Sequence, residues 1–591
     1  MRIRTLIVSM VAGLALVGCS SEEDIAPGGG ELGSPQFLRV NLVTNPISGL
    51  RAGGDQSIGD PNKDDENNHS IYEEGLDAEN KVTKVRFYFF DADGNAAEVK
   101  NDNGTYRNYL EWTNVLEDND TINDPNKEKI LSTTLIIQSP KKDKIPAKIV
   151  AVINPSEPAN AERNLTSLGK VAHDYKAYTT SGEFVMSNST YSEGGIKKMA
   201  VSVEGKLKET SGEALEDPVD IYVERVIAKV RLGLDKSFED GAIPGTPNMF
   251  KTSADNSQKV TLDGEEKEIY VKFLGWNTTA VSTKSRLVKE INPAWPNTLF
   301  GTASTPWNWA EYFRSFWAIN ANGVEYDYGA FVPDTKENQI DGNKFQAQAK
   351  TKFDGKDWVY VNENASPYSD NPAESVGGNA ATPTKVIISA QLVDEKGNAL
   401  EFAEYGSTRT SIDGLKKLFA DNCGLYKKET VTVGGEQKVK FTKIAPEDLT
   451  VKTATAVGEA DIEKPGRYKS FVQLAKDENG KWYASNKEDA TAISAAEANT
   501  QLKALGSAKV WKNGYTYYYF DINHLGTKIG VVRNHIYDAK ITSLTGLGTP
   551  VYNPEEIIYP EKPVKDNDTF IAARINILSW RVVPSNVELN W

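Results

Sequence analysis

The sequence predicts an all-β protein with more than one domain, and three observations support this. The chain has 591 residues, which is enough for two to four domains of ordinary size. Short runs in which apolar and polar residues alternate, rich in Tyr, Phe, Val, Ile and Thr, recur along its length. Gly and Pro separate these runs, and few segments have the 3.6-residue period of an amphipathic helix. We therefore expect β-sheets with few helices.

The charge balance restricts the partners of the chain. Asp plus Glu number 82 against 67 Lys plus Arg, which gives a formal net charge of −15. An acidic protein of this kind is repelled by phosphate backbones and by acidic membrane surfaces. We therefore expect no nucleic-acid partner.

The first 18 residues have the features of a bacterial signal peptide. Arg2 and Arg4 precede a short apolar run, and residues 16–19 (LVGC) match the lipobox after which the cysteine is lipidated. The apolar run is too short for a permanent membrane-spanning helix. We predict a lipoprotein signal peptide over residues 1–18 and lipid attachment at Cys19. The alternative is a plain signal peptide that contains a cysteine by chance.

A predicted strand near the N-terminus precedes a candidate cleavage loop. Residues 37–43 (FLRVNLV) alternate with a period of two. The apolar residues that share one face of this strand are Leu38, Val40 and Leu42. Arg51 then lies in a Gly-rich stretch, and residues 55–68 are polar and acidic. An arginine between a strand and a polar segment suits an Arg-specific protease, although exposed arginines are common.

The strand pattern becomes dense from residue 81 onwards. Residues 81–95 (KVTKVRFYFFDADGN) predict a strand that turns at Asp93-Gly94. The spacing of Asp91, Asp93 and Asn95 also suits calcium, but Gly94 is the fourth residue of this loop, whereas an EF-hand loop needs glycine sixth. We therefore predict a turn. Further strands are predicted at residues 130–138, 147–154, 219–232, 268–282, 311–320, 358–364, 385–394, 514–526 and 530–551.

Two helices interrupt the strands. Residues 411–422 place Ile412, Leu415 and Phe419 on one face, and Gly424 follows as a stop signal. Residues 489–505 form an alanine-rich amphipathic run that ends before a glycine. We interpret both helices as insertions in a β domain.

No recognisable set of catalytic or metal-binding residues is present in the sequence. The histidines are His69, His173, His524 and His535. The chain has no HExxH motif, Walker loop or GxSxG elbow, and His524 and His535 lack a third ligand. Residues 533–535 (RNH) are interpreted as part of a strand, and Cys423 as a small buried apolar residue. We predict no enzymatic activity, no cofactor and no metal site.

Residues 570–591 contain two alternating segments on either side of Pro584. In the first, Ile571, Ala573, Ile575 and Ile577 share one face. The apolar residues that share one parity in the second are Val583, Val587, Leu589 and Trp591. Two interpretations stay open for this region. It is an ordinary edge strand of its own sheet, or it is a strand donated to another subunit by β-augmentation.

Five segments in this order resemble one known family. They are VERVIAKV (223–230), GWN (275–277), FRSFWAIN (313–320), GVVRNHIYDAKITSLTGLGTPV (530–551) and INILSWRVV (575–583). Together they resemble the fimbrillins of Bacteroidales, and most closely the shaft subunit of the minor, Mfa-type fimbria. The resemblance implies two transthyretin-like Greek-key β-sandwich domains. These would be an N-terminal domain over residues 52–218 and a C-terminal domain with helical insertions over residues 219–591.

The resemblance also implies a maturation route. A lipoprotein precursor, anchored in the outer membrane through Cys19, would be cut between Arg51 and Ala52 by an Arg-specific protease. The propeptide of residues 19–51 would then leave with its strand. The emptied groove would receive residues 583–591 of the next subunit, while residues 571–582 would stay in their own domain. Head-to-tail contacts of this kind do not close, so they give a filament.

The partners implied are further copies of the same subunit, fimbrial anchor and tip subunits, the protease, and host or bacterial surface receptors. The function implied is that of a surface fimbria in adhesion, co-aggregation and biofilm formation. The alternative is a non-polymerising surface lipoprotein, either a fimbrial anchor or tip or a glycan-binding module.

Overall fold

The computed structural model describes most of the chain in separate stretches. These are residues 33–45, 76–113, 115, 129–156, 164–189, 191–193, 196–251, 258–289, 320–321, 324–330, 345–346, 350–364, 383–453, 469–478, 480–522, 530–551 and 569–579. Strands dominate these residues and helices are few and short. The predicted all-β fold class is confirmed.

The first group of strands encloses one hydrophobic core. Its strands are β1 (Gln36–Asn45), β2 (Val85–Phe90), β3 (Val99–Lys100), β4 (Tyr106–Arg107), β5 (Tyr109–Trp112), β6 (Lys129–Ile137), β7 (Lys148–Ile153), β8 (Ala172–His173), β9 (Met186–Asn188), β10 (Tyr191–Glu193), β11 (Ile196–Lys198), β12 (Val201–Ser202) and β13 (Val219–Arg225). The main sheet has the order β5-β2-β7-β9-β13-β1-β6. The first half of β13 pairs with β1 and its second half pairs with β9. Strand β13 therefore joins the two parts of this sheet, β5-β2-β7-β9 and β1-β6. Apolar residues of both parts pack into the same core.

The second group of strands contains a sandwich of two sheets, together with several smaller sheets. Its strands are β14 (Ile227–Leu234), β15 (Met249–Lys251), β16 (Lys259–Leu262), β17 (Glu265–Glu268), β18 (Tyr270–Thr279), β19 (Val281–Ser282), β20 (Ser285–Arg286), β21 (Tyr326–Asp327), β22 (Gly329–Ala330), β23 (Phe345–Gln346), β24 (Asp354–Asn362), β25 (Lys385–Val393), β26 (Phe402–Tyr405), β27 (Thr408–Thr410), β28 (Tyr426–Val433), β29 (Glu436–Lys443), β30 (Leu449–Thr453), β31 (Ser470–Leu474), β32 (Trp482–Tyr483), β33 (Ala492–Ile493), β34 (Lys509–Trp511), β35 (Tyr515–Asp521), β36 (His535–Gly546), β37 (Thr549–Pro550) and β38 (Thr569–Ser579). One sheet has the order β24-β14-β36-β38 and the other β15-β18-β25-β35-β37. Alternate residues of both sheets meet in a second core.

The helices are short and two of them belong to a third core. The helices are α1 (Asp77–Asn80), α2 (Leu165–Gly169), α3 (Ser211–Glu216), α4 (Lys236–Glu239), α5 (Ile412–Asn422) and α6 (Ala495–Ala504). Apolar residues of α5 and α6 pack with β30 and β31 in a cluster of their own. The helical insertion therefore has a separate core. Helix α6 begins at Ala495 and not at residue 489, because Ser494 and Glu497 form a capping box that fixes its N-terminus.

The segment of residues 219–234 passes directly from the first core to the second. Strand β13 pairs with β1 and β9 of the first sheet, whereas β14 pairs with β24 and β36 of the second. The change of partner falls at Val226, which is buried in the first core. The strand that begins at residue 219 packs in the first core, and the domain boundary expected at residue 219 stays a prediction. The core-facing apolar residues change parity here, from positions 219, 221 and 223 in β13 to positions 228, 230 and 232 in β14, so the sequence does mark the change of sheet.

The loop at residues 91–95 is the predicted turn. Asp91 Oδ1 accepts hydrogen bonds from the backbone N–H of Asp93 and Asn95, at 2.9 and 2.8 Å. Gly94 has φ +87°, a left-handed conformation that suits glycine. The Asp91 carboxylate therefore serves the backbone of its own turn.

Candidate functional site

Strand β1, which contains the predicted removable strand, lies inside the first sheet and not at its edge. Residues 40–43 pair in parallel with residues 219–222 of β13. On the other side, residues 36–43 pair antiparallel with residues 130–137 of β6. Both hydrogen-bonding edges of β1 are therefore in use. If β1 left, it would leave a groove between two unpaired strand edges. We call this place the β1 groove, flanked by β13 and β6.

The inner face of β1 is part of the first hydrophobic core. Leu38, Val40 and Leu42 have no exposed surface. They pack in one cluster with Leu131 and Leu135 of β6. Burial of three such side chains contributes roughly 4.5 to 9 kcal/mol before the cost of ordering the chain. The predicted face of this strand is therefore the one that fills the groove.

The outer face of β1 makes polar contacts with both flanking strands. The Asn41 side-chain amide donates to Asp220 Oδ1 of β13 at 2.9 Å. Its Oδ1 accepts from Ser132 Oγ of β6 at 2.8 Å. Arg39 donates to Thr134 Oγ1 of β6 at 3.4 Å. Asn41 thus bridges the two walls of the β1 groove.

The start of β1 and the backbone just before it are also held in place. Phe37 and Lys208 exchange two backbone hydrogen bonds of 2.8 and 2.9 Å. The N–H of Gly33 donates to the carbonyl of Ser139 at 3.2 Å, and Gln138 Nε2 donates to the carbonyl of Gly33 at 3.2 Å. The described N-terminal residues are therefore bound to the first domain over the whole length of the groove.

The predicted site residues divide into two groups. Leu38, Val40 and Leu42 come together in the β1 groove. The remaining residues lie outside the described part of the chain, and they are Cys19, Arg51, Ala52, Val583, Val587, Leu589 and Trp591. Strand β38 pairs with β36 throughout its length, so residues 569–579 belong to the second domain itself.

A cluster of buried charges at the junction of the two cores was not expected from the sequence. We call Glu224, Lys289, Glu363 and Arg533 the Arg533 cluster. Arg533 Nε donates to Glu363 Oε2 at 2.7 Å, and Arg533 Nη1 donates to the carbonyl of Leu287 at 2.8 Å. Lys289 Nζ lies 2.7 Å from Glu224 Oε1. Each member is at most 3% exposed. These charges are shielded from water and depend on one another.

The Arg533 cluster corrects one interpretation of the sequence. Arg533 and Asn534 form a turn, and the strand begins at His535. Asn534 has φ +57°, a left-handed conformation that lies outside the extended region of a regular strand. The turn directs Arg533 inwards, and His535 Nδ1 lies 2.6 Å from the Arg533 carbonyl. A buried arginine gives no periodic signal, so alternation on both sides concealed it.

A second set of buried polar groups, the Glu79 cluster, consists of Glu79, Arg225, Lys229 and Tyr360. Lys229 Nζ of β14 lies 2.6 Å from Glu79 Oε1, and the Tyr360 hydroxyl also donates to this carboxylate. Arg225 Nε donates to the Glu79 carbonyl at 3.0 Å. Burial alone raises the pKa of Glu79, but these hydrogen bonds and the nearby cations outweigh it, so the pKa is lowered. The ionised carboxylate thus connects the first core to β14.

The Glu79 cluster predicts a pH-dependent stability. A lowered pKa in the folded state stabilises the fold above the ordinary pKa of 4.5, and this stabilisation is lost as pH falls below it. At neutral pH, Glu79→Gln is expected to lower the free energy of unfolding by about 2 kcal/mol. The difference from the unaltered protein should shrink as pH falls below about 4.5. Denaturant midpoints over a pH series measure this.

The matched control is Glu266→Gln, which alters an exposed ion pair with Lys259. Its effect should be at most about 1 kcal/mol at neutral pH. A constant difference between Glu79→Gln and the unaltered protein at all pH values would contradict the prediction.

The remaining candidates from the sequence are a metal site, Cys423 and the histidines. No group of three or more His, Cys, Asp or Glu side chains there is arranged to hold a metal ion. Cys423 is buried and has no disulfide. His524 lies outside the described residues. Within the part of the chain that is described, no helix has the length and apolar character needed to cross a membrane.

Comparison with known proteins gives one family match, in the second domain. Residues 509–586 match the family described as major fimbrial subunit protein type IV, fimbrillin, C-terminal. No curated protein sequence matches the chain.

Several solved structures are similar at low identity. A fimbrilin (FimA) from Porphyromonas gingivalis W83 has TM-score 0.35 and 13% identity, over 94% of this chain and 99% of that one. A putative cell adhesion protein from Bacteroides eggerthii DSM 20697 has TM-score 0.32 and 12% identity, over 95% and 100%. The tip fimbrial protein Mfa3 from Porphyromonas gingivalis has TM-score 0.28 and 10% identity, over 93% and 100%.

The chain is an all-β protein, and its residues 509–586 match the fimbrillin C-terminal family. The match includes β35 to β38 and the turn that carries Arg533. The fimbrillin relationship predicted from the sequence is confirmed for this part of the chain. The family that matches these residues is described as a major fimbrial subunit.

Proposed function

We propose that the chain is the polymerising shaft subunit of a surface fimbria and assembles by strand exchange. The observation that carries the proposal is the position of β1, which lies between β13 and β6 and pairs with both of them. Arg51 lies six residues after the end of β1 at Asn45 (51 − 45), so a cut after Arg51 separates β1 from the rest of the chain. Lipid attachment at Cys19 would be removed by the same cut.

Loss of β1 would make the subunit able to bind a replacement strand. The β1 groove would then expose the apolar residues that Leu38, Val40 and Leu42 cover, together with the backbone groups of β13 and β6. Such an exposed groove binds an extended apolar strand strongly. Before the cut, β1 occupies the groove and keeps the precursor from polymerising.

Residues 583–591 are the proposed donor. Strand β38 ends at Ser579, four residues before Val583 (583 − 579), so the donor follows directly after the last described strand of the second domain. The donor has the apolar alternation that the groove requires. Each subunit would then have a groove in its first domain and a donor after its second, which gives a head-to-tail filament.

We also propose how the precursor is anchored and cut, and what the filament does. The precursor is an outer-membrane lipoprotein, and an Arg-specific protease cuts it between Arg51 and Ala52. Anchor and tip subunits occupy the two ends of the filament. The filament serves adhesion to host or bacterial surfaces, co-aggregation and biofilm formation.

Cleavage of the purified precursor tests this proposal. Treatment with an Arg-specific protease should give a new N-terminus at Ala52 and ladders on a gel run without boiling. Arg51→Gln should prevent both, because the groove stays filled. The matched control is Arg107→Gln, an exposed arginine on the short strand β4, which should polymerise normally. Clean cutting after Arg51 that leaves only monomers would overturn the proposal and favour a non-polymerising surface lipoprotein.

A further inference from the structure

We propose that the incoming strand enters the β1 groove in one direction and one register. Residues 587–591 (VELNW) take the positions of residues 38–42 (LRVNL), and Asn590 takes the position of Asn41. This inference rests on the proposed strand exchange and adds the residues that select the register. The partner is a second copy of this chain.

The walls of the β1 groove have a site for one asparagine. Asn41 donates to Asp220 of β13 at 2.9 Å and accepts from Ser132 of β6 at 2.8 Å. An amide side chain offers both a donor and an acceptor, whereas a carboxylate is an acceptor only. An aspartate or glutamate at this position would also meet the Asp220 carboxylate. Asn590 satisfies both walls in the proposed register.

The proposed register also gives the best burial. Val587, Leu589 and Trp591 then face the core at the positions of residues 38, 40 and 42, all of which are fully buried. The one large change is Trp in place of Leu42. Glu588 takes the position of Arg39, beside the Thr134 hydroxyl, which can donate to a carboxylate.

Other registers that keep the apolar face inwards are worse. A slide of two residues brings Ser585 to position 38 and places Glu588 beside Asp220, where two carboxylates repel each other. A slide of four residues puts Ser585 into the core at position 40. It also puts Pro584, which has no N–H, at position 39.

A reversed strand that keeps the same three residues in the core fails for the same electrostatic reason. A reversed strand with Trp591 at position 38 brings Glu588 to position 41, again beside Asp220. Asp220 therefore discriminates against both the two-residue slide and the reversed strand. Asp220 and Ser132 are the specificity-determining residues of the groove.

Disulfide trapping tests the register in subunits that have been cleaved after Arg51. These subunits also carry Cys423→Ala, which removes their remaining native cysteine. Arg39 pairs with Thr134. A cysteine at the donor residue that occupies the Arg39 position should therefore form a disulfide with a cysteine at position 134. Three proteins carry Thr134→Cys together with Asn586→Cys, Glu588→Cys or Asn590→Cys. Only the Glu588→Cys protein should form crosslinked ladders that resist boiling and dissociate on reduction.

The outcomes separate the two proposals. Crosslinks from Asn586→Cys indicate the two-residue slide, and crosslinks from Asn590→Cys indicate a reversed or differently shifted strand; either result overturns the register. If unboiled ladders are absent from every protein, including the Cys423→Ala parent, the strand-exchange proposal itself fails.

A charge exchange tests the Asn590 contact separately. Asn590→Asp places a carboxylate beside the exposed Asp220 carboxylate and is expected to slow ladder formation by up to about fivefold. Asp220→Asn in the same chain should restore it, because the new amide can donate to the aspartate. Equal rates for all of these proteins would show that position 590 does not lie beside Asp220.

Discussion

A cleaved subunit that lacks a working donor, mixed with an uncleaved subunit, is expected to give a one-to-one dimer and no longer species. The cleaved subunit carries Val587→Asp and Leu589→Asp, so it has an open β1 groove but a donor that cannot bind. The uncleaved subunit carries Arg51→Gln, so it has a donor but a groove filled by β1. One groove and one donor remain functional, and they can join only once.

The expected size of the effect follows from burial. Two large apolar side chains contribute about 3 to 6 kcal/mol when buried. Their loss weakens strand binding by roughly 10²-fold to 10⁴-fold, before the added cost of burying a charge. Each subunit alone should therefore remain monomeric, and size-exclusion chromatography with light scattering measures the mixture after the protease is quenched.

The matched control for the donor is Asn586→Gln, which lies next to Val587 but on the polar face of the strand. A cleaved subunit with this change should still form long ladders. Long species in the mixed sample would show that subunits associate through a contact other than the one groove and one donor.

Replacement of Arg533 by Met is expected to lower the free energy of unfolding by about 3 to 5 kcal/mol. The change leaves the Glu363 carboxylate buried without its guanidinium partner. It also leaves the carbonyl groups of Leu287 and Arg286 without the donor that they share. An uncompensated buried charge is costly because the interior solvates it poorly.

Scanning calorimetry measures this prediction. A loss of this size should lower the melting temperature of the affected transition by about 6 to 20 °C, given about 2 to 4 °C per kcal/mol for a domain of 150 to 250 residues. The control is Lys259→Met, which removes an exposed cation. It should leave the melting temperature almost unchanged, because water screens exposed charges.

A second variant separates charge from packing. Arg533→Met combined with Glu363→Met removes both charges of the pair and should recover part of the lost stability, because no carboxylate is left unpaired. If the single variant melts like the unaltered protein, the Arg533 cluster does not stabilise the junction.

The local structure of this protein was largely predictable from its sequence. Alternation placed Leu38, Val40 and Leu42 on one face, and the structure buries all three. The turn at residues 91–95 follows from an aspartate that binds its own backbone and from a glycine with positive φ. Helix α5 begins after Ser411, whose hydroxyl accepts from the Gly414 N–H. Each of these features depends on contacts between residues close together in the chain.

Tertiary structure decided where these elements lie and what they bind. A period of two shows which side chains share a face, but it does not name the neighbouring strand. Asn41 meets Asp220, 179 residues away, and Arg533 meets Glu363, 170 residues away. The apolar residues of 219–234 change parity between β13 and β14, but this change does not say which sheet each strand joins. The sequence by itself determined the strands and their apolar faces. Only long-range pairing made β1 an inner strand and Arg533 a buried ion, because both properties depend on residues far along the chain.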